Sequence, residues 1–141
     1  MSTPSILLPL FVQVALTLVL GLWLAYLRGR DLRSGAVHPS KIALREPNWP
    51  LKTQLVGFCF SNQFELPVLF YVLTILELVT RQADLIFLVL AWVFVLTRVM
   101  HAMVHTTTNR IRFRGAWYGF GAVALLIAWT MYIGRILFVL P

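Results

Sequence analysis

The chain has 141 residues, of which 60% are apolar and only 12% are charged, and its mean hydropathy is +0.82. A soluble domain carries about a quarter charged residues, and a disordered chain combines low hydrophobicity with high net charge, so the composition excludes both classes. Twelve Lys and Arg against five Asp and Glu give a formal charge of +7. In so apolar a chain this excess indicates basic loops beside a membrane rather than a nucleic-acid partner.

Four long apolar stretches separated by short polar clusters predict four transmembrane helices. A helix needs about 20 residues to cross the hydrocarbon core, and each stretch is long enough. The stretches lack period-two alternation, which favours helices over the strands of a barrel. The predicted fold class is an all-α integral membrane bundle of four transmembrane helices in a single domain, residues 1–141. The predicted spans are residues 6–27, 54–79, 85–104 and 116–140.

The connections between the spans predict their direction across the membrane. The basic residues are Arg28, Arg30, Arg33, Lys41, Arg45 and Lys52 in the first connection, Arg81 in the second, and Arg110, Arg112 and Arg114 in the third. Because basic loops stay on the cytoplasmic side, the first and third connections are predicted to be cytoplasmic and both termini to lie outside. Pro39, Pro47 and Pro50 argue against one continuous helix in the first connection.

Three single features of the apolar stretches also carry expectations. Cys59 has no second cysteine in the chain, so we expect it to be a buried packing residue. Gly115 and Gly119 form a GxxxG motif, which allows close helix contact within one chain or between chains. Arg135 lies near the end of the fourth span, and its side chain either extends to the interface or contacts another helix.

Polar and charged residues lie inside the second and third spans, where inserting one charge costs about 2.5 kcal/mol or more. Asn62 and Glu65 are three residues apart, and Arg98, His101 and His105 follow the spacing i, i+3, i+7. Each set therefore occupies one face of its helix. Such residues need partners inside the protein, and they are the candidates for a functional site.

The depth of the charged residues predicts which of them meet. At 1.5 Å per residue, Glu65 lies about 18 Å from Thr53 and Arg98 about 15 Å from Thr108, two residues at similar inner boundaries. The two spans are antiparallel neighbours, so we predict that Glu65 pairs with Arg98 and that Asn62 lies near His101. Extending the stripe of the third span to Arg112 predicts a polar cleft that opens to the cytoplasm.

The polar residues also allow two other interpretations. The cluster can be purely structural, fixing helix register through an ion pair and hydrogen bonds. His101 and His105 lie one turn apart and can suggest a metal, but no HExxH pattern and no nearby carboxylate accompany them, so we predict no metal site.

Pro67, two residues after Glu65, predicts a kink beside the cluster.

The polar motifs resemble those of the MAPEG family, the membrane-associated proteins in eicosanoid and glutathione metabolism. The matching segments are Asn62-Gln-Phe-Glu65-Leu-Pro67 in the second span, Arg98-Val-Met-His101 in the third, and Asn109-Arg110-Ile-Arg112 after it. Chain length and the four spans match as well, so the resemblance covers essentially the whole chain. It implies a homotrimer of four-helix protomers with clefts between neighbouring subunits.

The resemblance also implies roles for particular residues. Glutathione-using members hold the tripeptide in these clefts near the cytosolic side, and a lipophilic substrate approaches from the bilayer. Carried over by position, the ligand-binding residues are Asn62, Glu65, Arg98, His101 and His105, and the catalytic residue is Arg112, which aligns with the arginine that stabilises the thiolate. Glutathione is then the expected co-substrate.

The chain departs from the glutathione-using members at three positions. Phe58 stands where those members place an arginine for a substrate carboxylate, and His101 and His105 stand where they often have tyrosines. At these positions the chain is more similar to bacterial members of the family. The resemblance therefore implies that the protein lies in a bacterial inner membrane.

Two functions stay open: a glutathione- or thiol-dependent transferase or peroxidase acting on lipophilic substrates, and a non-catalytic membrane module that binds lipid or forms part of a larger assembly. The expected partners are the lipid bilayer, two further copies of the chain and a lipophilic small molecule or lipid.

Overall fold

The computed structural model describes residues 2–43 and 48–138, and within these ranges the chain forms helices and turns without a strand. The helices are α1 (Thr3–Arg33), α2 (Leu51–Ser61), α3 (Leu66–Val79), α4 (Leu85–Thr106) and α5 (Ile111–Phe138). With α2 and α3 counted as one span, four segments are long and apolar enough to cross a membrane. The predicted all-α bundle is confirmed. Arg45, Pro47 and the predicted end of the fourth span at residue 140 lie outside the described residues.

The most extensive helix contact is between α4 and α5. A close approach at Gly121 makes it possible, because a Cβ atom there would lie 2.6 Å from Oγ1 of Thr97. Gly115 and Gly119, by contrast, would meet no atom within 4 Å. The GxxxG motif therefore forms no close helix contact within the protomer, and its face remains open.

The second span is broken in the middle, at the polar cluster. The α-helix α2 ends at Ser61, a short 3-10 turn covers Asn62–Phe64, and α3 begins after Glu65, whose φ and ψ are −102° and −109°. Pro67 lies in the first turn of α3, where its missing N–H needs no partner. The predicted kink is confirmed, and it takes the form of a complete interruption of the helix.

Two buried glutamines hold this break against α1. Nε2 of Gln13 donates to Oε1 of Gln63 at 2.9 Å, and Nε2 of Gln63 donates to the carbonyl of Cys59 at 2.9 Å. Cys59 itself is a free, fully buried thiol, as expected. The amide pair fixes where the break lies and supports the residues that follow it.

The two ends of the bundle differ in charge. We call the end where α1 and α4 finish and α2 and α5 begin the basic end; its described basic residues are Arg28, Arg30, Arg33, Lys41, Lys52, Arg110, Arg112 and Arg114. The one acid described there, Asp31, pairs with Arg30 at 2.8 Å and accepts the hydroxyl of Thr53. The opposite end carries Glu77, Arg81, Asp84 and Arg135. The described charge excess is therefore concentrated at the basic end.

Asp84 links α4 to α5 at the opposite end. Its Oδ1 accepts the backbone N–H of Phe87 at 2.8 Å, which caps α4, and its Oδ2 pairs with Nη2 of Arg135 at 2.5 Å. Of the two expectations for Arg135, contact with another helix is confirmed. Burial alone would raise the pKa of Asp84, but the Phe87 N–H and the Arg135 guanidinium outweigh it, so the pKa lies below its ordinary value of 3.8.

We expect Asp84→Ala to lower the melting temperature by about 2–4 °C, because losing a helix cap costs about 1 kcal/mol. A group whose pKa is lowered by folding stabilises the protein above its unfolded pKa and loses that effect as the pH falls through its folded pKa. The difference in melting temperature between Asp84→Ala and wild type should therefore be largest near pH 7 and should shrink below pH 3.8. Thermal unfolding in detergent at several pH values measures it. Asp84→Asn, which keeps a capping oxygen, is the control, and a difference independent of pH would contradict the assignment.

Candidate functional site

An open cleft of about 440 Å³ lies between α2, α4 and α5, close to the basic end. Its lining residues are Phe58, Asn62, His101, His105, Arg114, Gly115 and Tyr118; we call it the polar cleft. Its volume is within the range of small-molecule sites, about 300–1,000 Å³. Three of the residues singled out in the sequence, Asn62, His101 and His105, come together here.

Hydrogen bonds fix the ring of His101 in the wall of the cleft. Its Nδ1 donates to the carbonyl of Arg114 at 3.0 Å, because a carbonyl can only accept. In the neutral ring Nε2 is then an acceptor, and Nδ2 of Asn62 lies 3.5 Å from it. The predicted proximity of Asn62 and His101 is confirmed. His101 thus joins α2, α4 and α5 at one point.

Arg98 is fully buried next to the cleft, with 0% of its surface exposed. Its Nη2 donates to the carbonyl of Asn62 at a long 3.5 Å, and its guanidinium lies 5.2 Å from the ring centre of Tyr118. Its Nε and Nη1 are buried without a hydrogen-bond partner. A buried charge with so few partners is unusual, since buried charges are normally paired and hydrogen-bonded.

The predicted ion pair between Glu65 and Arg98 is not formed. The ion pairs within the described ranges are Arg30–Asp31 and Arg135–Asp84. The prediction treated the second span as a straight helix, whereas the backbone leaves the helix at Glu65. The side chain of Glu65 is exposed on the surface of the protomer, and the hydroxyl of Tyr118, at 3.5 Å, contacts its carboxylate.

The turn between α4 and α5 orients Arg114 at the edge of the cleft. Asn109 has a positive φ of 48°, a conformation that asparagine tolerates better than most residues. Its backbone N–H donates to the carbonyl of Val104 at 2.7 Å, and its Oδ1 accepts from Nη1 of Arg114 at 2.6 Å. On the neighbouring turn of α4, Nδ1 of His105 is buried without a partner. The cleft therefore combines an oriented cation with an unsatisfied imidazole.

Arg112, the predicted catalytic residue, is exposed at the start of α5 and is not among the residues that line the cleft. The role carried over to it from the family stays a prediction. Two polar lining residues, Arg114 and Tyr118, were not among the predicted site residues; from its place in the sequence, Arg114 was counted among the charges of the third connection. Their spacing of four residues places both on one face of α5, and that spacing was the available signal.

No three His, Cys, Asp or Glu side chains in the described parts of the chain come together as metal ligands. The fold and cleft define a multi-pass membrane protein with a polar site between its helices. The family model described as "MAPEG family" matches residues 6–140 of the chain. The chain belongs to the MAPEG family. No curated protein and no solved structure matches it.

Proposed function

We propose that this protein is a membrane enzyme that uses glutathione or a similar thiol to conjugate or reduce a lipophilic substrate in the polar cleft. The observation that carries the proposal is the set of buried polar atoms without partners beside the cleft, on Arg98 and His105. Each unsatisfied buried polar group costs about 1–3 kcal/mol. A polar, anionic ligand in the cleft would supply a partner for His105, which lines it, and would place negative charge beside the buried guanidinium of Arg98.

The cleft residues suit the chemistry of a thiol. The guanidinium of Arg114 favours the thiolate of a bound peptide over its neutral thiol, and the thiolate is the nucleophile. In conjugation, the thiol proton passes to the imidazole of His105, the sulfur forms a bond to the electrophilic carbon, and the leaving group departs with its electron pair. Asn62 lies at the same cleft, where its side chain can hold the peptide part of the ligand.

The surface of the protomer supports the proposal of a homotrimer. Glu65 is exposed in the middle of a span, and a carboxylate facing lipid is costly. The face that carries Gly115 and Gly119 is open, so a second chain can approach it closely. We therefore place the polar cleft between subunits, with Glu65 covered by the neighbour. We also propose that the basic end faces the cytoplasm of a bacterial inner membrane.

Calorimetric titration of glutathione into the purified oligomer tests this function. We expect binding at millimolar or lower ligand concentration, and a loss of affinity of about tenfold or more in His105→Phe and Arg114→Met, since each removes a charge-assisted or buried hydrogen bond. Arg110→Met, an exposed arginine at the same end, is the matched control. S-Methylglutathione should bind without reacting. Absence of binding heat at millimolar glutathione would contradict the proposal.

A second candidate function is binding of a lipid or amphiphile without catalysis. The observation that favours it is Phe58, which is 55% exposed and forms an apolar part of the cleft wall. Asn62→Leu separates the two candidates, because Asn62 lines this cleft: it should weaken glutathione binding if the cleft holds a peptide, and it should leave copurified lipid in place if the cleft holds an apolar chain. Mass spectrometry of extracted lipids measures the second outcome.

A further inference from the structure

We propose that a second cleft, between α1 and α2 at the basic end, binds one anionic phospholipid per protomer. The cleft has a volume of about 390 Å³. Its lining residues are Leu24, Arg28, Ile42, Trp49, Thr53, Gln54, Gly57, Phe58, Phe60 and Ser61; we call it the interfacial groove. The proposal is independent of thiol chemistry in the polar cleft.

The polar mouth of the groove suits a phosphate group. The exposed guanidinium of Arg28 lies 5.2 Å from the ring centre of Trp49. The side-chain amide of Gln54 donates to the carbonyl of Trp49 at 2.6 Å, which holds the aromatic wall in place. Tryptophan is enriched at the level of lipid headgroups, and arginine binds phosphate through two parallel N–H groups. The mouth therefore lies where a headgroup would lie.

Arg28 is available to an anion because the acid beside it is already occupied. Asp31 pairs with Arg30 at 2.8 Å and accepts the hydroxyl of Thr53. Lys52 is also engaged, with its ammonium 4.9 Å from the ring centre of Trp23 and a hydrogen bond to the carbonyl of Thr106. Within the described residues, Arg28 has no carboxylate partner. The charge at the mouth is thus complementary to an anionic headgroup.

The floor of the groove suits an acyl chain. Below the mouth its lining is mainly apolar, formed by Leu24, Gly57 and Phe60 with Phe58 on the exposed side, and the hydroxyl of Ser61 is the polar group at its inner end. A Cβ atom at Gly57 would make an ordinary contact with Leu24, at 3.6 Å, so an alanine fits there and a larger side chain would fill the groove. A polar cationic mouth above an apolar floor matches one amphiphile, whereas a free phosphate would leave the floor empty.

Native mass spectrometry of the protein released from mixed phosphatidylglycerol and phosphatidylcholine tests the proposal. We expect about one retained phosphatidylglycerol per protomer and little phosphatidylcholine. Arg28→Gln should lower phosphatidylglycerol retention about tenfold, the size expected for losing a charge-assisted hydrogen bond. Arg33→Gln is the matched control, because it removes the same charge at the same end from an exposed residue outside the groove.

Two results would overturn the proposal. If Arg28→Gln and Arg33→Gln lower retention equally, the lipid is held by diffuse charge at the basic end and the groove is not its site. If the wild-type protein retains both lipids equally, the cationic mouth does not select phosphatidylglycerol over phosphatidylcholine. Gly57→Leu provides a test that leaves every charge in place. It should abolish retention of phosphatidylglycerol, and undiminished retention would show that the groove is not the binding site. An unchanged melting temperature shows that each variant is folded. The comparison of the two lipids uses only the wild-type protein and therefore does not depend on the folding of any variant.

Discussion

Replacing Arg98 with methionine should give a protein that is more stable than wild type but no longer binds thiol in the polar cleft. Arg98 is fully buried, with two guanidinium nitrogens lacking any partner. Insertion of an arginine at mid-membrane costs about 2.5–3.5 kcal/mol. Replacing poorly compensated buried charges with apolar side chains is often stabilising by about 1–4 kcal/mol. We therefore expect Arg98→Met to raise the melting temperature, whereas replacing a residue that only supports the structure would lower it.

The gain should remain after the lost contacts are counted. Methionine forfeits the long hydrogen bond to the carbonyl of Asn62 and the contact with the ring of Tyr118. A cation–π contact contributes about 0.5–2 kcal/mol, which does not offset the cost of the buried charge. Thermal unfolding of the purified protein measures the gain, and calorimetry with glutathione measures the loss of binding.

Arg135→Met is the matched control for Arg98→Met. Arg135 pairs with Asp84 at 2.5 Å and donates to the carbonyl of Gln82 at 3.2 Å, so its removal leaves Asp84 without its partner and should lower the melting temperature. If Arg98→Met lowers it to a similar extent, Arg98 is a structural residue in the assembled protein. That result would contradict the proposal that the unsatisfied charge of Arg98 serves a bound ligand.

Gly121→Ala should destabilise the protein by about 2 kcal/mol, the usual size of an overpacking effect. The added Cβ would lie 2.6 Å from Oγ1 of Thr97, whose hydroxyl is held by the carbonyl of Phe94 at 2.6 Å. Either the hydroxyl of Thr97 gives up its hydrogen bond to Phe94 or helices α4 and α5 move apart along the most extensive contact of the bundle. A loss of this size lowers the melting temperature by about 4–8 °C.

Gly134→Ala, also in α5, separates steric overlap from helix propensity. Its Cβ would meet no atom within 4 Å, and alanine is the better helix former by about 0.5–1 kcal/mol, so it should be neutral or stabilising. Thr97→Ala combined with Gly121→Ala should recover most of the lost stability, because the overlapping oxygen is gone. Equal effects of Gly121→Ala and Gly134→Ala, or no recovery in the double variant, would show that the crossing tolerates a wider separation.

The bundle could be predicted from the sequence because a bilayer imposes strict requirements on length and composition. The apolar stretches had to be helical, and Pro67 marked the interruption of the second span. The charged pairing was less predictable. Distance along an axis gives the depth of Glu65 and Arg98, but it does not give the backbone angles at Glu65, which depend on packing against α1 through Gln13 and Gln63.

The site was predictable up to the point where the helix ends, because Asn62 directly follows the last residue of α2 and still lies opposite His101. Arg114 was not predicted as a site residue, because its position depends on the positive φ of Asn109 and on the hydrogen bond between them. A tight turn decides which of three closely spaced arginines reaches the cleft. Sequence spacing alone favoured Arg112, whose carried-over role remains to be tested against that of Arg114.

The uneven charge of the two ends makes the protein an electric dipole across the bilayer. The basic end carries eight described basic residues and one acid, whereas the opposite end carries two of each. Moving one charge across a membrane potential of 100 mV changes its energy by about 2.3 kcal/mol. With the basic end in a negatively charged cytoplasm, inverting the chain would cost more than about 10 kcal/mol. On the proposed topology, the potential of an energised membrane would hold the mouth of the cleft toward the cytoplasm, and a soluble ligand would reach the cleft from that side alone.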